Sequence, residues 1–121
     1  MTYLGVAVAG ALGAVARYLV DRAVARWRYT VFPLGTLLVN VSGSFLAGLV
    51  LGLVLYHGLA STPAVVIGIG FLGAYTTLST FSFESLRLLE SGAVLLGLAN
   101  AAGSLVAGLL AAGAGLALGA L

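Results

Sequence analysis

Gly68-Ile69-Gly70-Phe71-Leu72-Gly73-Ala74-Tyr75-Thr76-Thr77-Leu78-Ser79-Thr80-Phe81-Ser82 sets three glycines ahead of a run of hydroxyls, inside an otherwise apolar stretch. Glycine costs about 1 kcal/mol against alanine in a helix, and Ser and Thr compete for the backbone with their own hydroxyls. The stretch therefore predicts a poor continuous helix. Thr62 and Pro63 offer an N-cap and a first helical residue on one side of it. Glu84 or Glu90 ends the uncharged run on the other. Counted from Pro63 to Glu84 the midpoint falls at Gly73 or Ala74; counted to Glu90 it falls at Thr76 or Thr77. The weakest helical stretch thus sits in the middle of a segment long enough to cross a bilayer. Non-helical backbone at that depth is tolerated only where protein buries it or where it lines a cavity. Broken helices at the midplane are also where carriers and channels build ion sites. The competing reading is a continuous helix whose hydroxyls bond their own i−4 carbonyls. Glycines and hydroxyls converging at one depth favour the break.

The rest of the chain is written for the same solvent. Of its 121 residues, 62% are hydrophobic and 7% charged, and the mean hydropathy is +1.22. Soluble domains carry roughly 25% charged residues, so too little charge is present to cover a water-soluble globule. A net charge of +2 from five Arg and three acids is too sparse for nucleic acid, which needs a clustered basic footprint. Without cysteine there is no disulfide framework or thiolate metal site.

No residue between Arg28 and Glu84, nor from Ser91 to Leu121, carries a full charge. A crossing helix needs about 20 apolar residues for a core of about 30 Å. The first gap is broken at His57-Gly58-Leu59-Ala60-Ser61-Thr62-Pro63 and so holds two spans. The expected spans are residues 2–20, 33–56, 63–88 and 92–121, making residues 1–121 one all-α, four-helix transmembrane domain. Tyr3, Tyr18, Trp27, Tyr29, Phe32 and Tyr56 fall at span ends, where amphipathic rings prefer to sit. Ala14-Val15-Ala16 mimics a signal-peptidase site, but no positive region precedes the apolar stretch, so the first segment is expected to be a span.

Four spans bring both termini to one side and loops one and three to the other. Arg22, Arg26 and Arg28 fall in loop one and Arg87 near loop three. The positive-inside rule then puts those loops in the cytoplasm. Membrane helices associate through close packing of small residues. Gly5, Ala9 and Gly13, then Ser44, Gly48 and Gly52, then Ser104, Gly108 and Ala112 form such stripes. They offer more contact surface than one four-helix monomer needs, which points to an oligomer.

The polar residues at depth are few. Asp21, Glu84 and Glu90 lie near span ends, and Arg17 lies about one turn from the end of helix one. Arg17 either snorkels to the interface or stands at the mouth of an anion pathway. Thr36, Asn40, Gly43 and Ala47 share one face of helix two. A buried amide must satisfy two N–H donors, so Asn40 reads equally as an interhelical bond or as a ligand. Ser79, Thr80 and Ser82 supply hydroxyls beside Phe81 and Phe83. A phenyl ring has a positive edge, against which an anion stripped of water can rest; for Phe83 packing is the simpler reading.

Three segments together resemble the CrcB/Fluc family of fluoride channels. They are Gly10-Ala11-Leu12-Gly13-Ala14-Val15-Ala16-Arg17-Tyr18, Gly35-Thr36-Leu37-Leu38-Val39-Asn40-Val41-Ser42-Gly43-Ser44-Phe45, and Gly70-Phe71-Leu72-Gly73 with Thr76-Thr77-Leu78-Ser79-Thr80-Phe81-Ser82. The resemblance implies a dual-topology dimer of oppositely oriented subunits in the plasma (inner) membrane, enclosing two fluoride pores. It also implies a structural Na⁺ at the dimer centre held by backbone carbonyls, which fall here on Gly73 and Thr76. The family's pore asparagine falls on Asn40, its polar track on Ser79 and Thr80, and its fluoride-facing phenylalanines on Leu78 and Phe81. Its helix-one basic residue falls on Arg17, and its helix-four pore positions on Asn100 and Ser104. Thr36 joins Arg17, Leu78, Asn100 and Ser104 as a candidate pore or vestibule residue.

Leu78 departs from the family, because leucine has no positive ring edge. With the lopsided arginines it makes a heterodimer with a paralogue the close rival of an antiparallel homodimer. The expected activity is passive, selective fluoride export that limits fluoride toxicity, with no enzymatic step and no organic cofactor. A non-conducting or half-active subunit of a paired channel is the alternative. A small multidrug-type antiporter fits poorly, since coupled export needs a central membrane carboxylate and no span has one. A purely structural subunit explains the glycine stripes but leaves Asn40 and the midplane hydroxyls without a purpose.

Overall fold

The computed structural model describes all residues, Met1–Leu121, and every regular element is helical. Helix α1 spans Thr2–Trp27 and α2 spans Leu34–His57. The third span is composite: α3 (Ser61–Val65), a π-helical segment (Val66–Leu72), α4 (Gly73–Tyr75) and, after a break, α5 (Leu78–Glu90). Helix α6, Val94–Gly119, closes the chain. The four candidate spans are 26, 24, 30 and 26 residues long. At 1.5 Å per residue each exceeds the hydrocarbon thickness of about 30 Å.

Most boundaries fall within two residues of the sequence-based expectation, the third span ending at Glu90 and α6 running over Val94–Gly119; two departures have an identifiable cause. Helix α1 continues past Val20 to Trp27, because Asp21 to Arg26 contain no Gly or Pro to stop it. Arg22 and Arg26 therefore ride on its last turns rather than in loop one. Arg26 sits in the last turn, where a cation complements the helix dipole, and the Arg22 guanidinium lies 5.8 Å from the centre of the Tyr18 ring. The third span starts at Ser61 with Ala60 as N-cap, rather than at Pro63 with Thr62 as N-cap, and no side chain caps it. Pro63 still falls within the first turn, where a missing N–H breaks no helical bond.

Only 17 of 121 residues are buried, and the buried hydrophobic side chains are Val39, Leu72, Tyr75 and Leu88. Large apolar residues such as Leu12, Leu55, Leu95 and Leu110 instead point outward. That distribution fits a lipid solvent, in which apolar side chains gain little by hiding. What the helices bury against one another is backbone. A Cβ on Gly48 would lie 2.8 Å from the Ala112 carbonyl carbon, and one on Gly115 would lie 2.9 Å from the Leu49 nitrogen. Gly52 and Gly119 meet in the same way one turn and more further on. The α2–α6 contact is the most extensive in the molecule. On the other side of the bundle, Gly13 faces the backbone of Phe71, and a Cβ on Gly70 would lie 2.9 Å from the Val6 carbonyl. Helix α1 is thereby seated on the π-helical segment. Gly58, at φ +66°, ends α2 in the left-handed conformation that glycine adopts freely.

The expected break in the third span is present, and the span bends by 25°. It falls at Thr76 and Thr77, the deeper of the two counted midpoints. The glycines ahead of it stay helical, although the turn widens to the π form over Val66–Leu72. Such turns mark functional sites more often than chance.

Candidate functional site

The site begins with two residues that leave the helix. Thr76 adopts φ −77°, ψ 160°, and Thr77 adopts φ −147°, ψ 120°. In an unbroken helix the Gly73 carbonyl would accept from the Thr77 N–H, and the Thr76 carbonyl from the Thr80 N–H. Both donors are diverted. The Thr77 N–H donates to Asn40 Oδ1 at 2.8 Å, and the Thr80 N–H donates to Thr77 Oγ1 at 3.2 Å. Asn40 Nδ2 donates in turn to the Thr77 carbonyl at 2.9 Å. The amide of α2 thus replaces a missing rung of the third span with a two-point clamp, while Thr77 caps α5 by its hydroxyl. Of the two readings open for Asn40, the interhelical bond is observed. Its second amide N–H has no protein acceptor.

Neighbouring polar groups hold the break in place. Thr76 Oγ1 donates to the Leu72 carbonyl at 2.9 Å, and the Thr76 carbonyl accepts from Arg17 Nη1 at 3.4 Å. Ser44 Oγ donates to the Asn40 carbonyl at 2.7 Å. The buried Tyr75 hydroxyl lies 2.9 Å from Ser42 Oγ, and its ring stacks on Phe71 with centroids 5.7 Å apart.

Two concavities flank Thr77. The larger, an open groove of about 540 Å³, brings together Asn40, Gly73, Thr76, Leu78, Phe81 and Ser104 among others. The smaller, about 270 Å³, brings together Arg17, Asp21, Thr36 and Thr80. Thr77 lines both, so the clamped residue is the wall between them. Thr80 Oγ1 accepts from Thr77 Oγ1 at 3.0 Å, which leaves the Thr80 O–H free to donate into the smaller concavity. Leu78 is 77% exposed along the groove. Ser79 lines neither concavity; its hydroxyl lies 3.4 Å from Thr77 Oγ1. Thr36 is the third residue of α2 and donates to Glu84 Oε1 at 3.0 Å, while Glu84 Oε2 is buried without a partner. The carboxylate therefore sits at the end of α2, away from mid-membrane. Asp21 Oδ1 occupies the space a side chain at Gly35 would take.

The helix-four pair divides. Ser104 lines the groove, whereas Asn100 does not; it is 1% exposed, the most enclosed polar side chain in the chain. Asn100 Nδ2 donates to Ser85 Oγ at 2.8 Å, and Ser104 Oγ donates to Asn100 Oδ1 at 3.2 Å. Ser85, Tyr75 and Thr77 are the site-forming residues that pattern reading missed. Each is one hydroxyl among many, and only its partner on another helix marks it out.

Chemically, the site offers an unengaged amide N–H, an unengaged hydroxyl, a guanidinium and one phenyl ring, all suited to an anion. It also offers the carbonyls of Gly73 and Thr76, whose helical donors are diverted. Both residues line the same groove, and unwound carbonyls are ligands of the kind that hold Na⁺ in membrane proteins. They are the backbone groups that could hold a cation here, and the 3.4 Å bond from Arg17 to the Thr76 carbonyl is the contact such an ion would compete with.

The family model for CrcB-like protein, Camphor Resistance (CrcB), matches residues 4–116 of the chain. Curated relatives include "Fluoride-specific ion channel FluC 1" of Leifsonia xyli subsp. xyli, 45% identical over 121 residues, covering 100% of this chain and 88% of that one. The protein of the same name from Frankia casuarinae is 48% identical over 126 residues, covering 98% and 95%. Another of that name, from Methanosarcina acetivorans, is 50% identical over 95 residues, covering 78% and 72%.

Proposed function

The chain belongs to the CrcB family, and on that premise we propose that it is a fluoride-selective channel through which fluoride leaves the cytoplasm passively, down its electrochemical gradient. The observation that carries the reading is the set of unengaged donors around the Thr77 wall. Fluoride is small and strongly hydrated, so it enters an apolar membrane only where fixed donors replace its water. The second N–H of Asn40, the O–H of Thr80 and the edge of Phe81 supply that replacement, with Ser104, whose hydroxyl donates to Asn100, as a further group on the groove wall; Ser79 stays outside both concavities. Arg17, beside Thr80 in the smaller concavity, raises the local anion concentration. Thr36 stands at the outer end of that concavity, where its hydroxyl is held by Glu84.

The open face of the groove, with Ser104, Gly108 and Ala112 on one wall and Gly43 and Ala47 on the other, supports an assembly in which a second subunit closes the pore. An antiparallel dimer is the arrangement we favour. The Gly73 and Thr76 carbonyls of the two copies would hold a Na⁺ at its centre. That ion supplies a fixed positive charge that neutralises the carbonyl dipoles. A heterodimer is the second reading, favoured by Leu78, which faces the groove with no ring edge.

The test is release of fluoride against chloride from liposomes holding only this purified chain. Rapid fluoride release without chloride release is the expected result and also establishes a homomeric channel. Silence on both ions, rescued by an oppositely oriented paralogue, means a heterodimer. Silence that persists with the paralogue overturns the channel reading.

A further inference from the structure

We propose that Asn100 is a positioning residue: it fixes the rotation of α5, and with it the placement of Phe81, through the hydroxyl of Ser85. The inference rests on the channel reading for its functional consequence, though its structural part does not.

Helix α5 is unusual in not being a continuation of the helix before it. The break at Thr76 and Thr77 removes the helical bonds that would transmit the orientation of α4. Its azimuth must therefore be set by contacts from other helices. At its start the Asn40 clamp holds the Thr77 backbone at 2.8 and 2.9 Å. A rod held at one point can still turn about its axis, and the bond from Thr36 to Glu84 Oε1 at 3.0 Å reaches α5 only through a long, rotatable side chain that can follow such a turn. The second tether comes from α6, eight residues and about 12 Å further along at 1.5 Å per residue. There Asn100 Nδ2 donates to Ser85 Oγ at 2.8 Å.

Phe81 lies between the two tethers and is attached to the second. Ser85 Oγ donates back to the Phe81 carbonyl at 2.8 Å. A hydroxyl bonded to its i−4 carbonyl tilts that carbonyl and bends the helix locally. Donation from Asn100 holds the hydroxyl in this rotamer and polarises it, strengthening the bond it makes. The unbroken line Ser104, Asn100, Ser85, Phe81 then links the two walls of the groove, since Ser104 and Phe81 both line it. The line also has a direction. Ser104 donates to Asn100 Oδ1 at 3.2 Å, so its proton is held away from the groove and an arriving anion must compete with Asn100 for it. Gly97 lets α6 come this close: a Cβ there would lie 3.2 Å from the Ser85 carbonyl and 2.8 Å from Leu89.

A merely structural Asn100 would glue α6 to α5 with no consequence specific to Phe81. The experiment separates the two with the full chain reconstituted in liposomes, as wild type, Asn100→Leu, Ser85→Ala and the double variant. The first readout is fluoride release per assembled protein. The second is the 19F resonance of 4-fluorophenylalanine introduced at position 81. Each single variant should slow release about tenfold or more, the scale on which small misplacements of a reacting group act. Each should also shift or broaden the resonance, and the double variant should do no more than the stronger single one. Ser85→Ala removes one oxygen and keeps the fold if Asn100→Leu does not assemble. An unmoved resonance in Ser85→Ala overturns the proposal, whatever the release rate. So does a double variant whose slowing is the product of the two singles. Wild-type liposomes that release no fluoride even with an oppositely oriented paralogue present overturn the channel reading instead, and the resonance still decides whether Asn100 positions Phe81.

Discussion

Asn40→Leu is the substitution that most directly tests how the break is held. Leucine shares asparagine's branched outline, is somewhat larger and suits a membrane helix, so the change removes the clamp without leaving a hole. Two interhelical bonds go, at 2.8 and 2.9 Å, and in membrane proteins such bonds average about 0.6 kcal/mol each. The larger cost comes from what is left behind. The Thr77 N–H has no helical partner to return to, because Thr77 is extended, and an orphaned buried donor costs about 1–3 kcal/mol; the Thr77 carbonyl, as that of the N-cap, keeps the first bond of α5. The groove is open, so water meets part of that need, and a net loss of about 2–4 kcal/mol is expected. The assay is the unfolding midpoint of the purified protein in mixed micelles titrated with a denaturing detergent. Ser42→Ala is the comparison. It removes the 2.9 Å contact with the buried Tyr75 hydroxyl and the 3.2 Å bond to the Val39 carbonyl but orphans no backbone N–H, and should cost about 1 kcal/mol. If Asn40→Leu is no more destabilised than Ser42→Ala, the clamp is not what holds the break. Fluoride release alone cannot decide this, since Asn40 is also proposed to face the ion; stability isolates the structural role.

Three further outcomes follow from the geometry. Gly48→Ala places a methyl 2.8 Å from the Ala112 carbonyl carbon, forcing α2 and α6 apart at a cost of about 1–3 kcal/mol in the same titration. Gly113→Ala, with nothing within 4 Å, should leave the midpoint unchanged or raised, and equal behaviour of the two would contradict the α2–α6 packing. Thr77→Val keeps the shape but loses the cap that accepts from the Thr80 N–H. About 1 kcal/mol of local stability should go, seen as faster hydrogen exchange at the amides of Ser79, Thr80 and Phe81. Leu78→Phe adds a ring at a position 77% exposed along the groove. Faster fluoride release with assembly unchanged is expected, and an unchanged rate would remove position 78 from the ion's path.

The fold was legible to the extent that it depends on solvent and local chemistry. The uncharged runs from Arg28 to Glu84 and from Ser91 to Leu121 forced three membrane helices, and the apolar stretch ahead of Arg17 a fourth. The hydroxyl-rich stretch placed the break within a few residues of Thr77. Boundaries were less legible. Nothing in the pattern distinguishes an interfacial arginine on a helix from one in a loop, so α1 ran past its expected end to Trp27. The first-turn geometry around Pro63 tolerates either Ala60 or Thr62 as N-cap, and the pattern favoured the wrong one. Within the site, Arg17, Asn40 and Phe81 could be singled out because their residue types are informative at depth, whereas Leu78 and Ser104 were marked only by the resemblance to the family. Tyr75, Thr77 and Ser85 could not.

What the sequence determined by itself is therefore the membrane, the number of helices, the weak point in the third span and the small-residue faces. All of these are set by composition and spacing along a single helix. Which partner each polar group takes was decided by the tertiary structure alone. Asn40 meets Thr77 across 37 residues, Thr36 meets Glu84 across 48 and Arg17 meets Thr76 across 59. A buried amide or hydroxyl announces only that it must bond to something, because hydrocarbon offers it nothing. The partner depends on how closely two backbones approach, and that distance is set by glycines elsewhere in the chain, facing Ala112, Phe45 and Phe71.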